Sequence, residues 1–363
     1  MRVLVVNAGS SSLKLRLLGG DDALLAEHEL PAGRDGFDEE AAARLLGAMD
    51  GIDAVGHRFV HGGPRLTAPA RLDGGVEREL RAAADLAPLH QPPALAAADL
   101  TRRVLPRVPA VACLDTAFHA NMPAAAATYA VPREWRERFG IRRYGFHGLS
   151  HAYAARRSAE LLGRPPDRLR VVTCHLGAGA SLAAVRGGVS VDTTMGFTPL
   201  EGIVMATRSG SIDPGITLWL ERHGGLSEAE LWDALEHRSG LLGLAGTGDM
   251  REVLRAASAG DADARLALDV YVHRLRAAIA AMAAAMGGLD AATFTGGVGE
   301  RAAEVRAAAA AGLGFLGLAV DPARNAAATG DADIGADGAA VRVLVVRARE
   351  DLEIARQVRE VLG

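Results

Sequence analysis

Two segments of the chain share one pattern of apolar and polar positions. Residues 2–7 are dominated by Val and Leu, Gly and Ser fill 9–12, and residues 12–17 alternate polar and apolar. This order predicts a strand, a turn and a second strand. A shift of 168 aligns residues 2–20 with 170–188 without a gap, with five identities in 19 positions. The match predicts a duplicated domain in which each copy opens with a hairpin.

The rest of the chain alternates between short apolar runs and amphipathic stretches. Strands are predicted near 53–60, 110–114, 128–131, 189–192, 292–295 and 341–346. Helices are predicted at 38–49, 75–86, 93–104, 149–162, 228–238, 262–286, 300–311 and 351–361, and Ser227 with Glu230 forms a capping box. The alternation indicates an α/β protein.

The Gly/Ser turn at 9–12 excludes one familiar phosphate-binding motif. A P-loop has the pattern G-x-x-x-x-G-K-[ST] and opens a helix, whereas this turn leads into a second strand. Two hairpins facing each other across a cleft would hold a phosphate chain by the free backbone N–H groups of their turns.

Composition narrows the class of protein. The 363 residues are 49% hydrophobic and 23% charged, which is typical of a soluble globular protein with two domains. A net charge of −4 argues against a basic nucleic-acid-binding surface. The longest apolar run, residues 277–289, is shorter than the roughly 20 residues of a membrane span and predicts a buried helix. The first residues lack the apolar core of a secretion signal, so we expect a cytoplasmic protein without membrane contact.

Cysteine and lysine usage add two expectations. Cys113 and Cys174 each lie in an apolar run, which indicates reduced, buried thiols. Lys14 is the single lysine among 40 basic residues. Either that position needs a compact ammonium group or one lysine survived by chance.

Six segments combine Gly, His, Arg, Asn and Asp, most of them at predicted strand ends: 7–14, 56–63, 115–119, 144–151, 175–179 and 195–214. Together they resemble the acetokinase family, within the superfamily of sugar kinases, actin and ATP-dependent chaperones. The resemblance runs from Val3 to the C-terminal helix. It implies two duplicated actin-like, ribonuclease-H-like α/β domains with an active-site cleft between them. The implied domains are 1–117 plus 352–363, and 118–351 with the nucleotide site and the interface of a homodimer.

The resemblance also implies a reaction. The family transfers the γ-phosphoryl group of ATP reversibly and directly, in line, to acetate, giving acetyl phosphate and ADP, with Mg²⁺, or alternatively Mn²⁺, on the nucleotide. The acceptor carboxylate has a pKa of roughly 4 to 5 and is already ionised, so no general base is required. The alternatives are a kinase for propionate or another short acid, and a non-enzymatic, actin-like ATP switch.

Four residues receive chemical roles from this resemblance. Arg58 binds the substrate carboxylate, because a guanidinium grips both oxygens. His147 and Arg208 stabilise the transferring phosphoryl group, and Asp115 orients Mg²⁺-bound water or Arg side chains. The competing structural interpretations are a surface Arg for Arg58, a core histidine for His147, a solvated loop Arg for Arg208 and a helix N-cap for Asp115.

The remaining implied site residues fall into three groups. Asn7 and Glu350 correspond to magnesium ligands, although an acidic residue at a helix start also complements the helix dipole. A pocket for the methyl group of acetate is formed by Val60, Leu89, Phe146 and Pro199. Nucleotide contacts are implied for Lys14, Ser10, Ser12, His175, Leu176, Gly177, Ala178, Gly179, Asp249, Met250, Arg251, Gly297, Val298, Gly299, Glu300 and Arg301. His90 is either a further cleft residue or a structural one.

The chain departs from the family pattern in the phosphate loop. That loop usually reads His-Leu-Gly-Asn-Gly, and Ala178 replaces its Asn. Ala206, Ser211 and Arg301 also stand where Gly, Asp and Asn are common. Because the Ala178 change removes a phosphate contact, we expect weaker ATP affinity.

Overall fold

The computed structural model describes residues 1–9, 12–33 and 36–363. The strands are β1 Val3–Ala8, β2 Ser12–Leu18, β3 Leu24–Gly33, β4 Gly36–Phe37, β5 Ala54–Phe59, β6 Ala70–Arg71, β7 Ala110–Leu114, β8 Arg170–Leu176, β9 Ala180–Arg186, β10 Val189–Thr193, β11 Ala291–Thr295, β12 Ala332–Asp333 and β13 Arg342–Val345. The helices are α1 Glu39–Gly47, α2 Gly74–Ala82, α3 Gln91–Val104, α4 Ala124–Ala127, α5 Arg133–Phe139, α6 Gly148–Leu162, α7 Gly215–Trp219, α8 Glu228–His237, α9 Gly240–Ala245, α10 Met250–Ser258, α11 Ala262–Met286, α12 Gly296–Arg301, α13 Ala303–Ala311, α14 Pro322–Ala327 and α15 Glu350–Leu362.

The chain forms two compact units. Unit 1 comprises Met1–Ala120, Phe146–Tyr153 and Arg349–Gly363, and unit 2 comprises Asn121–Gly145 and Ala154–Ala348. The sheet of unit 1 has the order β4-β3-β2-β1-β5-β7-β6, and that of unit 2 has the order β10-β9-β8-β11-β13-β12. In both sheets the opening hairpin is antiparallel and its first strand begins a parallel triple, β1-β5-β7 or β8-β11-β13. The shared topology confirms the predicted α/β fold and its duplication.

The two hairpins differ in register by one residue. Val3 pairs with Leu18 in the first hairpin, whereas Val171 pairs with Val185 in the second. The gap-free alignment would have paired Val171 with Arg186. The turn of the second hairpin is therefore one residue tighter.

Each face of the unit 1 sheet is covered by helices. Val3 and Val5 of β1 pack on one face against Ile354 and Val358 of α15. Residues of β1, β2 and β5 pack on the other face against α1 and α3. In unit 2, the buried face of α11 includes Leu275 and Ile279. The parallel strands are thereby fixed between helix layers, which holds their carboxyl ends in place.

Two sequence predictions of secondary structure differ from the structure. The strand predicted at 128–131 is wrong, since these residues form an irregular connection between α4 and α5. The helix predicted at 300–311 is interrupted at Ala302, where α12 ends and α13 begins. The capping box of Ser227 with Glu230 is confirmed at the start of α8.

The predicted burial of both thiols is confirmed, and that of the Ala-rich run is confirmed in part. Cys113 and Cys174 are both free and buried, and burial raises the pKa of each thiol. The Ala-rich run falls largely in α11, which is partly buried. Among the described residues, none of the helices combines the length and hydropathy needed to cross a bilayer.

Candidate active site

Three of the predicted site residues lie at the carboxyl ends of the parallel strands of unit 1. Asn7 lies near the end of β1, Arg58 near the end of β5, and Asp115 directly after β7. Adjacent parallel strands end at the same edge of a sheet, so their last side chains converge. Glu350 reaches the same place as the first residue of α15.

Arg58 is the centre of this cluster. Its Nη2 and Nε donate to Asp115 Oδ2 at 2.7 and 3.2 Å. Its Nη1 lies 3.4 Å from Asn7 Oδ1 and 3.6 Å from Glu350 Oε2. Asp115 is 1% exposed, whereas the side chain of Arg58 keeps 18% exposure. One charged guanidinium therefore holds three oxygen-bearing side chains and still reaches the surface of unit 1.

The electrostatics of the pair follow from its burial. Burial raises the pKa of Asp115, and the positive charge of Arg58 opposes that shift. For Arg58, burial lowers the pKa, but Asp115 and Glu350 outweigh it and leave the pKa above its usual value. Arg58 therefore remains a permanent cation, as carboxylate recognition requires.

His147 adopts a strained backbone conformation at the start of α6. Its φ of +55° lies in the left-handed region, which is uncommon for a residue other than glycine. The preceding carbonyl, that of Phe146, lies 3.1 Å from His119 Nε2. Burial lowers the pKa of His119 to about 4, so its neutral ring donates to that carbonyl at pH 7. The peptide before His147 is thus fixed by a fully buried side chain.

Gly148 brings α6 directly against the backbone of Asp115. A Cβ at this position would lie well inside 3.0 Å of the Asp115 carbonyl oxygen. Only glycine permits this approach, which couples the placement of His147 to that of Asp115.

Replacing Gly148 by alanine is expected to destabilise the protein by about 3 kcal/mol, because the backbone carbonyl it meets has no rotamer by which to move away. The same variant should lower kcat, since both His147 and Asp115 shift. Chemical unfolding and steady-state kinetics measure the two effects. Gly47→Ala is the matched control, because nothing lies within 4 Å of that Cβ. Equal unfolding midpoints for the two variants would contradict the close packing described above.

Unit 2 contains a cavity of about 840 Å³ at the turns that follow β8 and β11. This volume lies within the range of nucleotide-sized pockets. Its lining includes eight of the residues predicted to contact the nucleotide: Gly177, Ala178, Asp249, Met250, Arg251, Gly297, Val298 and Arg301. Asp249 also caps α10 and pairs with Arg251, and hydrogen bonds from Arg251 lower the pKa of Asp249 to about 2.

The loop that carries Arg208 is held by backbone hydrogen bonds. Ala206 N donates to the carbonyl of Ala178 at 3.0 Å, so the loop is tied to the edge of the cavity. Gly240 has a φ of +63°, and a Cβ there would meet the carbonyl oxygens of Met205 and Arg208. Arg208 Nε donates to Glu236 Oε2 at 2.6 Å, and the Glu236 carboxylate is 4% exposed. These contacts give Arg208 a defined position.

The residues predicted for the methyl pocket differ in burial within unit 1. In unit 1, Phe146 is buried with its ring 5.5 Å from that of His61, Leu89 is exposed, and Val60 is half-buried. Lys14 Nζ lies 3.5 Å from Glu29 Oε1 on the neighbouring strand.

The other predicted residues are placed as follows. Ser12 begins β2 and is buried. His90 precedes α3 and is half-buried. Ser10 lies outside the described residues.

In unit 2, Glu300 Oε1 accepts hydrogen bonds from the backbone N–H groups of Gly296 and Ala348 at 3.1 and 3.0 Å, so it braces the glycine-rich turn. Pro199 is half-buried in the loop that follows β10. The remaining predicted residues lie in elements beside the cavity: His175 and Leu176 in β8, Gly179 in the turn that follows, and Gly299 in α12.

Sequence reasoning missed several residues that the structure brings to these sites, among them three residues of α10 and Glu236. Leu254, Arg255 and Ser258 of α10 line the cavity, and Glu236 holds Arg208. The sequence contains a signal for the α10 residues only: Leu254 and Ser258 are four residues apart, a spacing that places both on one face of a helix. Nothing local marks Glu236, which lies 28 residues from Arg208.

The donor set beside Arg58 is compatible with a hard cation. Asn7 supplies an amide oxygen and Glu350 a carboxylate, both within 3.6 Å of the same guanidinium nitrogen. Mg²⁺ prefers oxygen ligands and completes its shell with water and phosphate oxygens. Among the described residues there is no cluster of three or more His, Cys, Asp or Glu side chains arranged as a metal cage. Two protein oxygens suffice for a magnesium ion that takes its other ligands from water and phosphate, so the absence of such a cage does not conflict with this donor set.

The chain resembles known proteins over nearly its whole length. The sequence model that describes the acetokinase family matches residues 36–356. The acetate kinase of Leifsonia xyli subsp. xyli is 50% identical, with 98% of this chain and 97% of that protein covered. The acetate kinase of Gloeobacter violaceus is 46% identical, with 98% of each covered.

Two solved structures have the same architecture. The acetate kinase of Porphyromonas gingivalis superposes with a TM-score of 0.92 at 34% identity over 100% of both chains. A propionate kinase from Francisella tularensis subsp. tularensis superposes with a TM-score of 0.92 at 34% identity, over 99% of this chain and 100% of that one.

Proposed function

The chain belongs to the acetokinase family, and from this premise we propose how its own side chains perform the family's reaction. It is an acetate kinase by activity, transferring the γ-phosphoryl group of ATP to acetate. The observation that carries the residue assignment is the Arg58 cluster at the carboxyl edge of the unit 1 sheet. A cation with remaining surface exposure, fixed by the buried carboxylate of Asp115 and the half-buried one of Glu350, is what a small carboxylate substrate needs.

The proposed step is a direct in-line displacement. A carboxylate oxygen of acetate, held by Arg58, forms a bond to the γ-phosphorus while the bond from that phosphorus to the bridging oxygen breaks and ADP leaves. No proton is removed from the acid, since it is already ionised. The obstacle is the approach of two anions, so cations and donors lower the barrier.

The remaining roles follow from the same requirement. His147 and Arg208 donate to the oxygens of the transferring phosphoryl group, and Asp115 orients Arg58. The cavity of unit 2 binds the nucleotide. Asn7 and Glu350 would hold Mg²⁺, which supplies charge neutralisation on the phosphate oxygens. We propose that the methyl group of acetate is surrounded by four side chains, those of Val60, Leu89, Phe146 and Pro199.

We propose that units 1 and 2 correspond to the duplicated domains 1–117 plus 352–363 and 118–351. Phe146–Tyr153 belongs to compact unit 1, although the sequence predicted it in the second domain. Location in the cytoplasm stays a prediction.

Trapping the product as its hydroxamate tests the activity. Purified protein, Mg-ATP and acetate, propionate or butyrate are incubated with hydroxylamine. We expect product from acetate, less from propionate, and least from butyrate, because one methylene changes binding by about 1 to 3 kcal/mol. Product mainly from propionate would favour the activity named for the Francisella relative. ATP binding without trapped product from any acid would instead indicate an ATP switch.

Restoring the amide in the phosphate loop should tighten nucleotide binding. Ala178 lines the cavity, so Ala178→Asn adds a donor beside the proposed phosphate position. We expect the KM for ATP to fall by about tenfold, since a hydrogen bond to a charged group contributes roughly 1.5 to 3 kcal/mol. Ala178→Val, which adds volume without a donor, is the control. An unchanged KM in the Asn variant, or an equal fall in both, would show that this position does not limit ATP affinity.

Unit 2 also carries several exposed apolar side chains within a short stretch of sequence, which supports a homodimer. Five large side chains between residues 212 and 232 are at least 38% exposed: Ile212, Ile216, Leu218, Trp219 and Trp232. We propose that a second copy of the chain covers them.

Light scattering after gel filtration should then give twice the chain mass of 37.7 kDa. The double variant Leu218→Ser/Trp219→Ser should give a monomer. Trp135→Ser, which removes a comparably exposed tryptophan elsewhere in unit 2, should stay dimeric. A wild-type monomer at micromolar concentration, or a dimeric double variant, would exclude this interface.

A further inference from the structure

Unit 1 has a cavity of its own, at the edge of its sheet opposite to Arg58 and Asp115. Its volume is about 280 Å³. Val55 near the start of β5 and Ala110 at the start of β7 contribute to its lining, so it lies toward the amino ends of the parallel strands. None of the residues assigned to phosphoryl transfer lines it.

His57 lines this cavity with a buried imidazole. The residue is 1% exposed, and neither ring nitrogen has a hydrogen-bond partner within the part of the chain that the structure describes. Side chains alternate along β5, so His57 faces α3 while its neighbour Arg58 faces α15. Burial lowers the pKa of His57 to about 4, and the neutral ring has one N–H donor to offer. A buried donor of this kind is costly unless water or a ligand satisfies it.

Positive charge predominates around the cavity. Arg71, Arg102 and Arg107 line it, against the single carboxylate of Glu77. Arg102 is already engaged, because it pairs with Glu77 and with Asp99. Within the described residues, the guanidinium groups of Arg71 and Arg107 make neither a hydrogen bond nor an ion pair, and the carboxylate of Asp73 interacts with Arg71 only electrostatically, at longer range. Two cations are therefore available to a ligand.

We propose that this cavity binds a small multivalent oxyanion, such as phosphate or a short dicarboxylate. Arg71 and Arg107 pair with its oxygens at the mouth, and His57 donates a hydrogen bond from the interior. Guanidinium groups suit this class of ligand because they present several donors in a plane. The site is separate from the phosphoryl-transfer residues and does not depend on the proposed function.

The test follows His57 directly. Protein labelled with ¹³C at histidine Cε1 gives one resonance for each of its 11 histidines, and His57→Gln assigns the resonance of His57. Inorganic phosphate and malonate are titrated in separate experiments, and isothermal calorimetry supplies affinities that need no assignment. Arg71→Ala/Arg107→Ala removes the two free cations at the mouth. Arg44→Ala/Arg168→Ala removes two exposed cations elsewhere and serves as the control.

We expect a saturable shift of the His57 resonance with at least one anion. The Arg71→Ala/Arg107→Ala variant should bind at least about tenfold more weakly, while the control variant binds as the wild type does. Saturation by phosphate alone or by malonate alone identifies which source of oxyanion the site prefers. Phosphate bound elsewhere is common to both variants and cancels in the comparison. If neither anion shifts His57, or both double variants bind equally, the cavity holds only water and the proposal is wrong.

Discussion

Replacing Arg208 by alanine is expected to lower kcat by about a thousandfold, the magnitude typical of losing a cation that stabilises a transferring phosphoryl group. The KM values for acetate and ATP should change little, because the interaction strengthens as charge develops in the transition state. Steady-state assays of acyl phosphate formation measure both constants.

Stability must be separated from catalysis in this variant. Arg208→Ala leaves the carboxylate of Glu236, 4% exposed, without its partner. An unpaired buried charge lowers the free energy of unfolding. Arg208→Ala/Glu236→Ala removes both charges, so its melting temperature should recover while kcat stays low. Arg238→Ala, whose side chain is 60% exposed, should leave both quantities unchanged. Recovery of kcat in the double variant would mean that Arg208 acts only through folding.

Arg58→Ala is expected to raise the KM for acetate by about a hundredfold, since it removes charge-assisted hydrogen bonds to the substrate carboxylate. It also removes the counterion of a buried acid, so the free energy of unfolding should fall by about 3 kcal/mol. Arg58→Lys keeps the charge without the planar fork and should recover stability more than KM. Arg65→Ala, a 70% exposed arginine of the same unit, is the control. A variant with lower kcat and unchanged KM would overturn the assignment of Arg58 to the acid.

The pH dependence of the Arg58→Ala variant has a definite sign. Burial raises the pKa of Asp115, and Arg58 opposes that shift. Without Arg58, the folded state binds the Asp115 proton more tightly than the unfolded state does. Stability then increases as pH falls through the raised pKa. We expect the difference in unfolding free energy between wild type and variant to be larger at pH 8 than at pH 5.

The strands and helices with strong periodicity were predictable from the sequence. The helix at 262–286 and the strand at 110–114 match the structure at both ends. The strand predicted at 128–131 is wrong because a largely apolar segment of four residues is too short to distinguish a strand from an irregular connection. β3 was missed although it alternates along ten residues, since its side chains are largely exposed and its apolar signal is weak.

The sequence by itself determined the duplicated α/β architecture, because the patterns that specify hairpins and helices are formed by residues close together in the chain. It also determined the candidate chemistry, since Arg58, Asp115, His147 and Arg208 stand in recognisable local motifs. Tertiary structure alone decided which groups meet. Asp115 is 57 residues from Arg58. Glu236, whose carboxylate fixes Arg208, lies in a predicted helix, but nothing in the sequence marks it as the partner of Arg208. Tertiary contacts also hold His147 in the left-handed region and leave His57 facing a cavity. Neither feature is visible in the sequence, because burial and desolvation depend on contacts that exist only in the folded chain.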